Sequence, residues 1–191
     1  MKDLIKKILK EVSVEKKERM GRGSFHDVYP LKYDSSKVIK VPRGVSDYAK
    51  DVYRVGGSDA WFNIFKKYPQ YFPEIYKITD KYIILEKLDT NRVKQELFKM
   101  EDDLYPYFSE DIDNGYHITE ILYDLILDSA GNDLKTKQLN LLVGKLKNRD
   151  IINRYIDLLR SIEGEKIRGF IDVNDGNFGY NKEGKLKMLD I

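Results

Sequence analysis

The most informative run in this chain reads Ile171-Asp172-Val173-Asn174-Asp175-Gly176-Asn177-Phe178-Gly179. Asp172 precedes Asn177 by five positions, and a second aspartate, Asp190, follows Asn177 by thirteen. Carboxylate and amide oxygens suit Mg²⁺, and a carboxylate can also take a proton from a hydroxyl. A base and two metal ligands at this spacing can surround a nucleoside triphosphate with two magnesium ions.

The residues after this run predict a β-hairpin. Phe178 to Tyr180 and Lys185 to Leu189 flank the turn sequence Asn181-Lys182-Glu183-Gly184, and apolar residues alternate with lysines in the second strand. Because the two strands are antiparallel, the hairpin is expected to present Asn177 and Asp190 at the same end. Residues that are distant in sequence would thereby become neighbours in space.

Composition excludes several classes of protein. The chain has 191 residues, enough for one domain or two small lobes, and its 34 basic and 32 acidic side chains give a net charge of +2. So small a charge does not suggest binding to nucleic acid through its phosphates. The lack of cysteine excludes disulfides, thiolate catalysis and cysteine-based zinc sites. No apolar run could cross a bilayer and no secretory signal is present, so we expect a cytoplasmic protein that binds neither nucleic acid nor membrane.

The first ninety residues are predicted to be rich in β-strands. Asp27 to Tyr33 and Lys37 to Val41 are candidate strands joined by an Asp34-Ser35-Ser36 turn, and Ile75 to Thr79 forms a second hairpin with Tyr82 to Glu86. Two helices are also expected in this half, over Met1 to Val14 and over Ser58 to Lys67.

The second half is predicted to be mainly helical. Apolar residues at helical spacing predict helices over Tyr116 to Asp128, Leu134 to Leu146 and Arg149 to Ile162. The acidic run from Glu101 to Asp113 is interpreted as a solvated, mobile loop, with attraction of a basic substrate or partner as the alternative.

Two features of the first half suit a nucleotide. In Gly21-Arg22-Gly23-Ser24-Phe25-His26, glycines in a turn let backbone N–H groups approach phosphate oxygens without interference from a Cβ. Twelve residues after Val28, Lys40 stands inside the apolar sequence Val38-Ile39-Lys40-Val41, where its ammonium needs an anionic partner. The phosphates of a nucleotide would provide that partner, and an edge-strand lysine facing water is the alternative.

Together these pieces resemble the protein kinase-like superfamily, and the Gly176-Asn177 pair is most similar to its aminoglycoside and small-molecule kinase branch. The motifs occur in the family's order, with Ile83-Ile84-Leu85-Glu86-Lys87-Leu88 as a hinge-like segment and Asp190 at the metal-binding position. The resemblance implies an α+β, two-lobed kinase-like fold that is truncated after Asp190. Residues 1–88 would form a nucleotide-binding lobe with an antiparallel β-sheet, and residues 89–191 a helical lobe with the catalytic loop.

The resemblance also implies a role for each matching residue. Asp172 would orient the acceptor hydroxyl and take its proton, and Lys40 would hold the α- and β-phosphates of ATP. Asn177 and Asp190 would coordinate Mg²⁺. The acceptor would be a hydroxyl, expected on a protein Ser or Thr, or else on a small molecule; the oligomeric state stays open. The nucleotide-binding residues would be Gly21, Arg22, Gly23, Ser24, Val28 and Lys40, together with the backbone groups of Glu86 and Leu88, which would pair with adenine.

Departures from the family's pattern favour an alternative hypothesis, a pseudokinase or nucleotide-binding regulatory module without phosphotransfer. His26 occupies the third glycine position of the loop, and no glutamate stands where the family's helix glutamate pairs with Lys40. Asp59, or else Asp51, is the expected substitute, although Asp59 also suits the first turn of a helix. A third hypothesis is an unrelated α+β binding protein.

Overall fold

The structure, a computed structural model, describes residues 19–22, 26–42, 64–79, 82–165 and 173–189. The chain divides into two compact units, Met1–Leu88 and Asp89–Ile191. The described part of the first unit is mainly β-sheet and that of the second mainly helical, which confirms the predicted α+β class. The helix expected at residues 1–14 lies outside the described residues. So does most of the helix expected before Lys67, of which residues 64–67 are seen to be helical.

A five-stranded antiparallel sheet forms the first unit. Its strands are β1 (Gly21–Arg22), β2 (His26–Leu31), β3 (Asp34–Pro42), β4 (Ile75–Ile78) and β5 (Ile83–Glu86), in the order β1-β2-β3-β5-β4. Both faces of the sheet bury apolar side chains, because β3 and β5 are rich in β-branched and other apolar residues. One face carries Tyr29, Ile39, Val41 and Tyr82, and the other Val38, Ile83 and Leu85.

The predicted turn at Asp34-Ser35-Ser36 is wrong by two residues. Lys32 and Tyr33 make the turn, and Leu31 pairs with Asp34 at the start of β3. The Asp34 carboxylate accepts hydrogen bonds from the backbone N–H and the hydroxyl of Ser36 inside that strand. Asp and Ser form such local bonds within a turn or beside it, so their presence marks the neighbourhood of a turn but not its position.

Four helices and a hairpin make up the described part of the second unit. They are α1 (Thr90–Asp113), α2 (Ile118–Ser129), α3 (Asp133–Lys145) and α4 (Arg149–Gly164), then a 3-10 turn (Asp175–Asn177) and strands β6 (Phe178–Tyr180) and β7 (Leu186–Met188). The helices predicted from apolar spacing correspond to α2, α3 and α4, and β6 pairs with β7 in antiparallel fashion as predicted. In α4 the apolar residues whose spacing predicted the helix form its buried face. Ile152, Tyr155, Leu159 and Ile162 are each 0% exposed.

The acidic run from Glu101 to Asp113 is helical apart from a kink at Phe108, so its interpretation as a mobile loop is wrong. These residues form the second half of α1, in which Met100 and Leu104 are buried while most carboxylates face water. Asp103 is the exception: it is 9% exposed and accepts hydrogen bonds from the backbone N (2.6 Å) and the side-chain Nδ2 (3.0 Å) of Asn148. Because Asn148 is the N-cap of α4, Asp103 satisfies donors at the start of that helix.

A short backbone pairing joins the start of the second unit to its hairpin. The N–H of Asp89 donates to the carbonyl of Tyr180 at 2.7 Å, and the N–H of Tyr180 donates back at 3.0 Å. The Asp89 carboxylate also caps α1, accepting from the backbone N–H groups of Asn91 and Arg92. The strand that follows the predicted metal ligand Asn177 is therefore fixed to the first turn of α1.

Replacing Asp103 with alanine is expected to lower the free energy of unfolding by about 1–3 kcal/mol, since it removes the acceptor of the partly buried backbone N–H of Asn148. Urea denaturation measures this change as a lower midpoint at an unchanged slope. Asp102→Ala is the matched control, because it removes the same charge from the neighbouring, exposed position and is expected to change stability by less than about 0.5 kcal/mol. Equal midpoints for the two variants would contradict the capping role of Asp103.

Candidate functional site

Three of the predicted nucleotide-binding residues form one row across the sheet of the first unit. The register pairs Gly21 with Val28, Val28 with Lys40, and Lys40 with Ile83. Directly opposed residues of an antiparallel sheet have their side chains on the same face, so Val28, Lys40 and Ile83 share one face. Lys40 is partly buried there, and its strand neighbour Ile39 is fully buried on the opposite face. The Lys40 ammonium thus belongs to a face of the sheet that is otherwise largely apolar.

The predicted adenine-contact segment is held by backbone hydrogen bonds within the first unit. The N–H of Glu86 donates to the carbonyl of Glu74 at 2.8 Å, and the N–H of Lys87 donates to the carbonyl of Ser36 at 2.8 Å. The Glu86 carboxylate, 9% exposed, accepts from the N–H of Glu74 at 3.3 Å. Since these N–H groups are engaged, contacts with a base at this segment would have to use the carbonyl of Glu86 and the backbone of Leu88.

In the second unit, hydrogen bonds to Asn174 close the described part of the predicted catalytic loop into a turn. Its Oδ1 accepts from the N–H of Gly176 at 2.8 Å, and its carbonyl accepts from the N–H of Asn177 at 2.8 Å. This turn leads the chain into the 3-10 turn that ends at Asn177. A Cβ at position 176 would lie 3.2 Å from Oδ1 of Asn174, so a larger residue there would press on the acceptor that closes the turn.

The hairpin register brings the backbone of Asn177 next to Leu189. Phe178 pairs with Met188, and the N–H of Leu189 donates to the carbonyl of Asn177 at 2.7 Å. Asp190 follows Leu189 directly in the sequence but lies outside the described residues. The proximity of Asn177 and Asp190 therefore stays a prediction. The hydrogen bond of Leu189, one position before Asp190, supports it.

Asp175 is bound to the N-terminus of α2. Its Oδ1 accepts from the N–H of Thr119 at 3.0 Å and lies 2.7 Å from the Thr119 hydroxyl, while its Oδ2 is 3.5 Å from Nδ1 of His117. The hydroxyl of Thr119, a residue 0% exposed, also contacts the carbonyl of Val173. A carboxylate in this place satisfies donors at the helix start and interacts favourably with the helix dipole.

Asn174 completes a loop-anchoring cluster, which consists of His117, Thr119, Asn174 and Asp175. Because Oδ1 of Asn174 accepts from Gly176, its amide nitrogen points at Nε2 of His117, 2.9 Å away. The other ring nitrogen of His117, Nδ1, faces Oδ2 of Asp175. His117 thus contacts both Asn174 and Asp175.

A buried carboxylate fixes β6 to two helices. Glu96 of α1, 6% exposed, accepts hydrogen bonds from the Tyr180 hydroxyl (2.6 Å), from Nη2 of Arg154 in α4 (2.9 Å) and from Nε of Arg92 (3.2 Å). The Tyr180 hydroxyl itself accepts from Nε of Arg154 at 3.1 Å. The strand immediately after Asn177 therefore has little freedom to shift.

Neither cluster was predicted from the sequence. His117 and Glu120 have the spacing of a capping box, and Glu120 does accept from the N–H of His117 at 2.8 Å. That signal identifies the start of α2, yet it does not reveal that Asp175 binds there. The sequence offered no comparable signal for Glu96.

Several predicted site residues lie outside the described residues: Gly23, Ser24, Asp172 and Asp190, together with the two candidate partners of Lys40, Asp51 and Asp59. Within the described ranges, no group of three or more His, Cys, Asp or Glu residues is arranged to hold a metal ion. In the same part of the chain, no helix has both the length and the apolar character needed to cross a membrane.

No family model matches the chain, and no curated protein is detectably similar to it. Among solved structures, it is similar to the ADP-bound aminoglycoside phosphotransferase APH(2'')-Ib, with a TM-score of 0.37 and 11% identity over 98% of this chain and 72% of that one. The streptomycin–ATP–APH(2'')-IIa ternary complex gives a TM-score of 0.34 and 12% identity over 98% and 72% of the two chains. The gentamicin–APH(2'')-IIa complex gives 0.37 and 12% over 98% and 68%.

With TM-scores of 0.34 to 0.37, these similarities assign neither a function nor a residue role to this chain.

Raising the pH above about 10 is expected to destabilise the second unit through its buried tyrosines. Burial, with Glu96 beside both hydroxyls, raises the pKa of Tyr155 and of Tyr180 above 10.0. The folded state then holds these protons more tightly than the unfolded state, so the free energy of unfolding falls as the pH rises past the unfolded pKa.

Urea midpoints between about pH 8 and about pH 11 measure this effect in the wild type and in Tyr180→Phe. The variant is expected to be less stable at neutral pH by about 1–3 kcal/mol, because Glu96 loses a donor, and to lose less stability in alkali. An identical pH dependence in both proteins would show that Tyr180 does not contribute.

Proposed function

We propose that this chain is an ATP- and Mg²⁺-dependent phosphotransferase that moves the γ-phosphate of ATP to a hydroxyl. The observation that carries the proposal is the hydrogen bond from Leu189 to Asn177, 2.7 Å long, one position before Asp190. Oxygen ligands at neighbouring ends of two paired strands suit a divalent cation that also binds phosphate oxygens. The amide of Asn177 and the carboxylate of Asp190 are such ligands, so the donor set fits Mg²⁺.

The first unit is proposed to bind the nucleotide. The row of Gly21, Val28 and Lys40 supports this role. A nucleotide has both an aromatic base, which suits an apolar face, and phosphates, which suit an ammonium group. The apolar face would contact the base, and Lys40 would contact the α- and β-phosphates. The remaining contacts would come from Arg22, Gly23 and Ser24, from the carbonyl of Glu86 and from the backbone of Leu88.

The second unit is proposed to carry the groups that act on the acceptor. Asp172 would accept the proton of the acceptor hydroxyl as its oxygen bonds to the γ-phosphorus and the bond to the β–γ bridging oxygen breaks, which releases ADP. Asn177 and Asp190 would hold the cation, which when bound neutralises charge on the phosphates. Lys40 would stabilise the charge that remains on ADP.

The acceptor is proposed to be a hydroxyl of a protein Ser or Thr or of a small molecule. Streptomycin and gentamicin occur in the similar solved structures. Both compounds therefore belong in an acceptor panel, beside generic protein substrates.

Incubation with Mg²⁺ and γ-labelled ATP is expected to transfer label to at least one acceptor of that panel. Asp172→Asn should reduce kcat by about 10²-fold or more at unchanged nucleotide affinity, because the amide cannot take the proton. Asp157→Asn, at an exposed position of α4, is the control and should retain activity. Thermal stabilisation by Mg·ATP without transfer to any acceptor would favour the nucleotide-binding module instead, and no stabilisation by any nucleotide would contradict both functions.

Lys40→Met is expected to weaken ADP binding roughly tenfold or more, since a hydrogen bond to a charged group contributes about 1.5–3 kcal/mol. Lys37→Met is the matched control, because Lys37 lies in the same strand on the opposite face and bonds Asp34 at 2.8 Å. Calorimetry of both variants measures the difference. Equal affinities would place the phosphates away from Lys40.

A further inference from the structure

We propose that Thr119 and His117, at the N-terminus of α2, are positioning residues of the phosphotransferase proposed above. They would fix residues 173–177, the segment that follows Asp172 in the sequence and ends at Asn177. The catalytic meaning of this inference rests on the proposed function, whereas the anchoring of the loop is testable without it.

Thr119 binds the loop on both sides of Asn174. Its hydroxyl contacts the carbonyl of Val173, the residue after Asp172, and its N–H and hydroxyl both contact Asp175, two residues before Asn177. The hydroxyl has one proton, which is shared between two acceptors, and the N–H supplies a second donor. Thr119 is 0% exposed, and the loss of these bonds would leave the partly buried acceptors of Val173 and Asp175 without this donor.

His117 contacts the side-chain amide of Asn174, the residue that closes the turn. With Nδ2 of Asn174 facing Nε2 of the ring, the amide oxygen is turned toward the N–H of Gly176. A reversed amide would set two donors against each other at Gly176 and lose the bond that closes the turn. Among the described residues, His117 therefore acts on Asn177 through Asn174.

The anchor is rigid because α2 is part of the core. Ile118, Ile121, Leu122 and Ile126 of this helix are buried, and Glu120 closes its first turn on the N–H of His117. Fixing the backbone of one residue costs about 1–2 kcal/mol of conformational entropy, so a loop held in advance has less to lose when substrates bind. A catalytic group supported from a helix is also placed more accurately than one on an unsupported loop.

Isosteric variants of the full chain separate this role from general stability. Thr119→Val removes the hydroxyl and Thr119→Ser retains it. Thr136→Val is the matched control, because the Thr136 hydroxyl donates to the carbonyl of Ser129 at 3.0 Å in the same unit, away from the loop. His117→Phe keeps a ring but removes both nitrogens.

Amide hydrogen exchange of residues 173–177 and label-transfer kinetics are the two measurements. Thr119→Val is expected to speed exchange in this segment about tenfold and to lower kcat about 10- to 100-fold, with ADP affinity unchanged. Thr119→Ser should restore both values, Thr136→Val should change neither, and His117→Phe should speed exchange at Gly176.

Wild-type exchange in Thr119→Val, or a kcat loss matched by Thr136→Val, would overturn the inference. A wild-type protein that transfers no label would overturn the proposed function, and with it the catalytic part of the inference. The exchange rates would then still decide whether Thr119 holds the loop.

Discussion

Glu96 carries its charge in the interior of the second unit with 6% of its surface exposed, and it is tolerated there only because donors from three elements converge on it. Those elements are α1, α4 and β6, so the need to solvate one carboxylate determines where each of them lies. Phe178, two residues before Tyr180 in β6, is 0% exposed and packs its ring 5.6 Å from that of Tyr155. The strand that begins after Asn177 is consequently fixed by polar and apolar contacts together.

The candidate loop is thus held from two directions. On its N-terminal side, the loop-anchoring cluster binds residues 173–175 to the start of α2, and on its C-terminal side β6 is fixed by Glu96 and by the pairing with Asp89. Each of these two attachments uses a polar group that is buried in the protein. An unmade hydrogen bond is costly in the protein interior. Such groups specify one geometry because a shifted loop would leave them unsatisfied.

The sequence predicted those parts of the fold whose cause is local. Apolar spacing identified α2, α3 and α4 because a packed helix repeats its buried face, and the Asn181–Gly184 turn signal identified the β6–β7 hairpin. The second half of α1 was predicted wrongly because its charge run resembles a solvated segment. Its helical state depends on Met100 and Leu104 entering the core and on Asp103 binding a residue 45 positions away. In the candidate site, the loop-anchoring cluster escaped prediction for the same reason, since Thr119 and Asp175 are 56 positions apart. The roles of Lys40, Asp172, Asn177 and Asp190 stay predictions.

The contact of Glu96 with Tyr180 also bears on when the parts of the second unit can come together during synthesis. A chain is synthesised at about 5–20 residues per second, so Glu96 leaves the ribosome roughly 4–17 seconds before Tyr180, which lies 84 positions later. During that interval the carboxylate lacks its shortest hydrogen bond, and closing so long a loop carries an entropic cost that delays the pairing further. The helices can pack through their apolar faces earlier, but the Glu96 carboxylate between them stays hydrated until β6 has been synthesised. The contacts that fix the start of β6 to α1 and α4 therefore cannot form before Tyr180 has been synthesised.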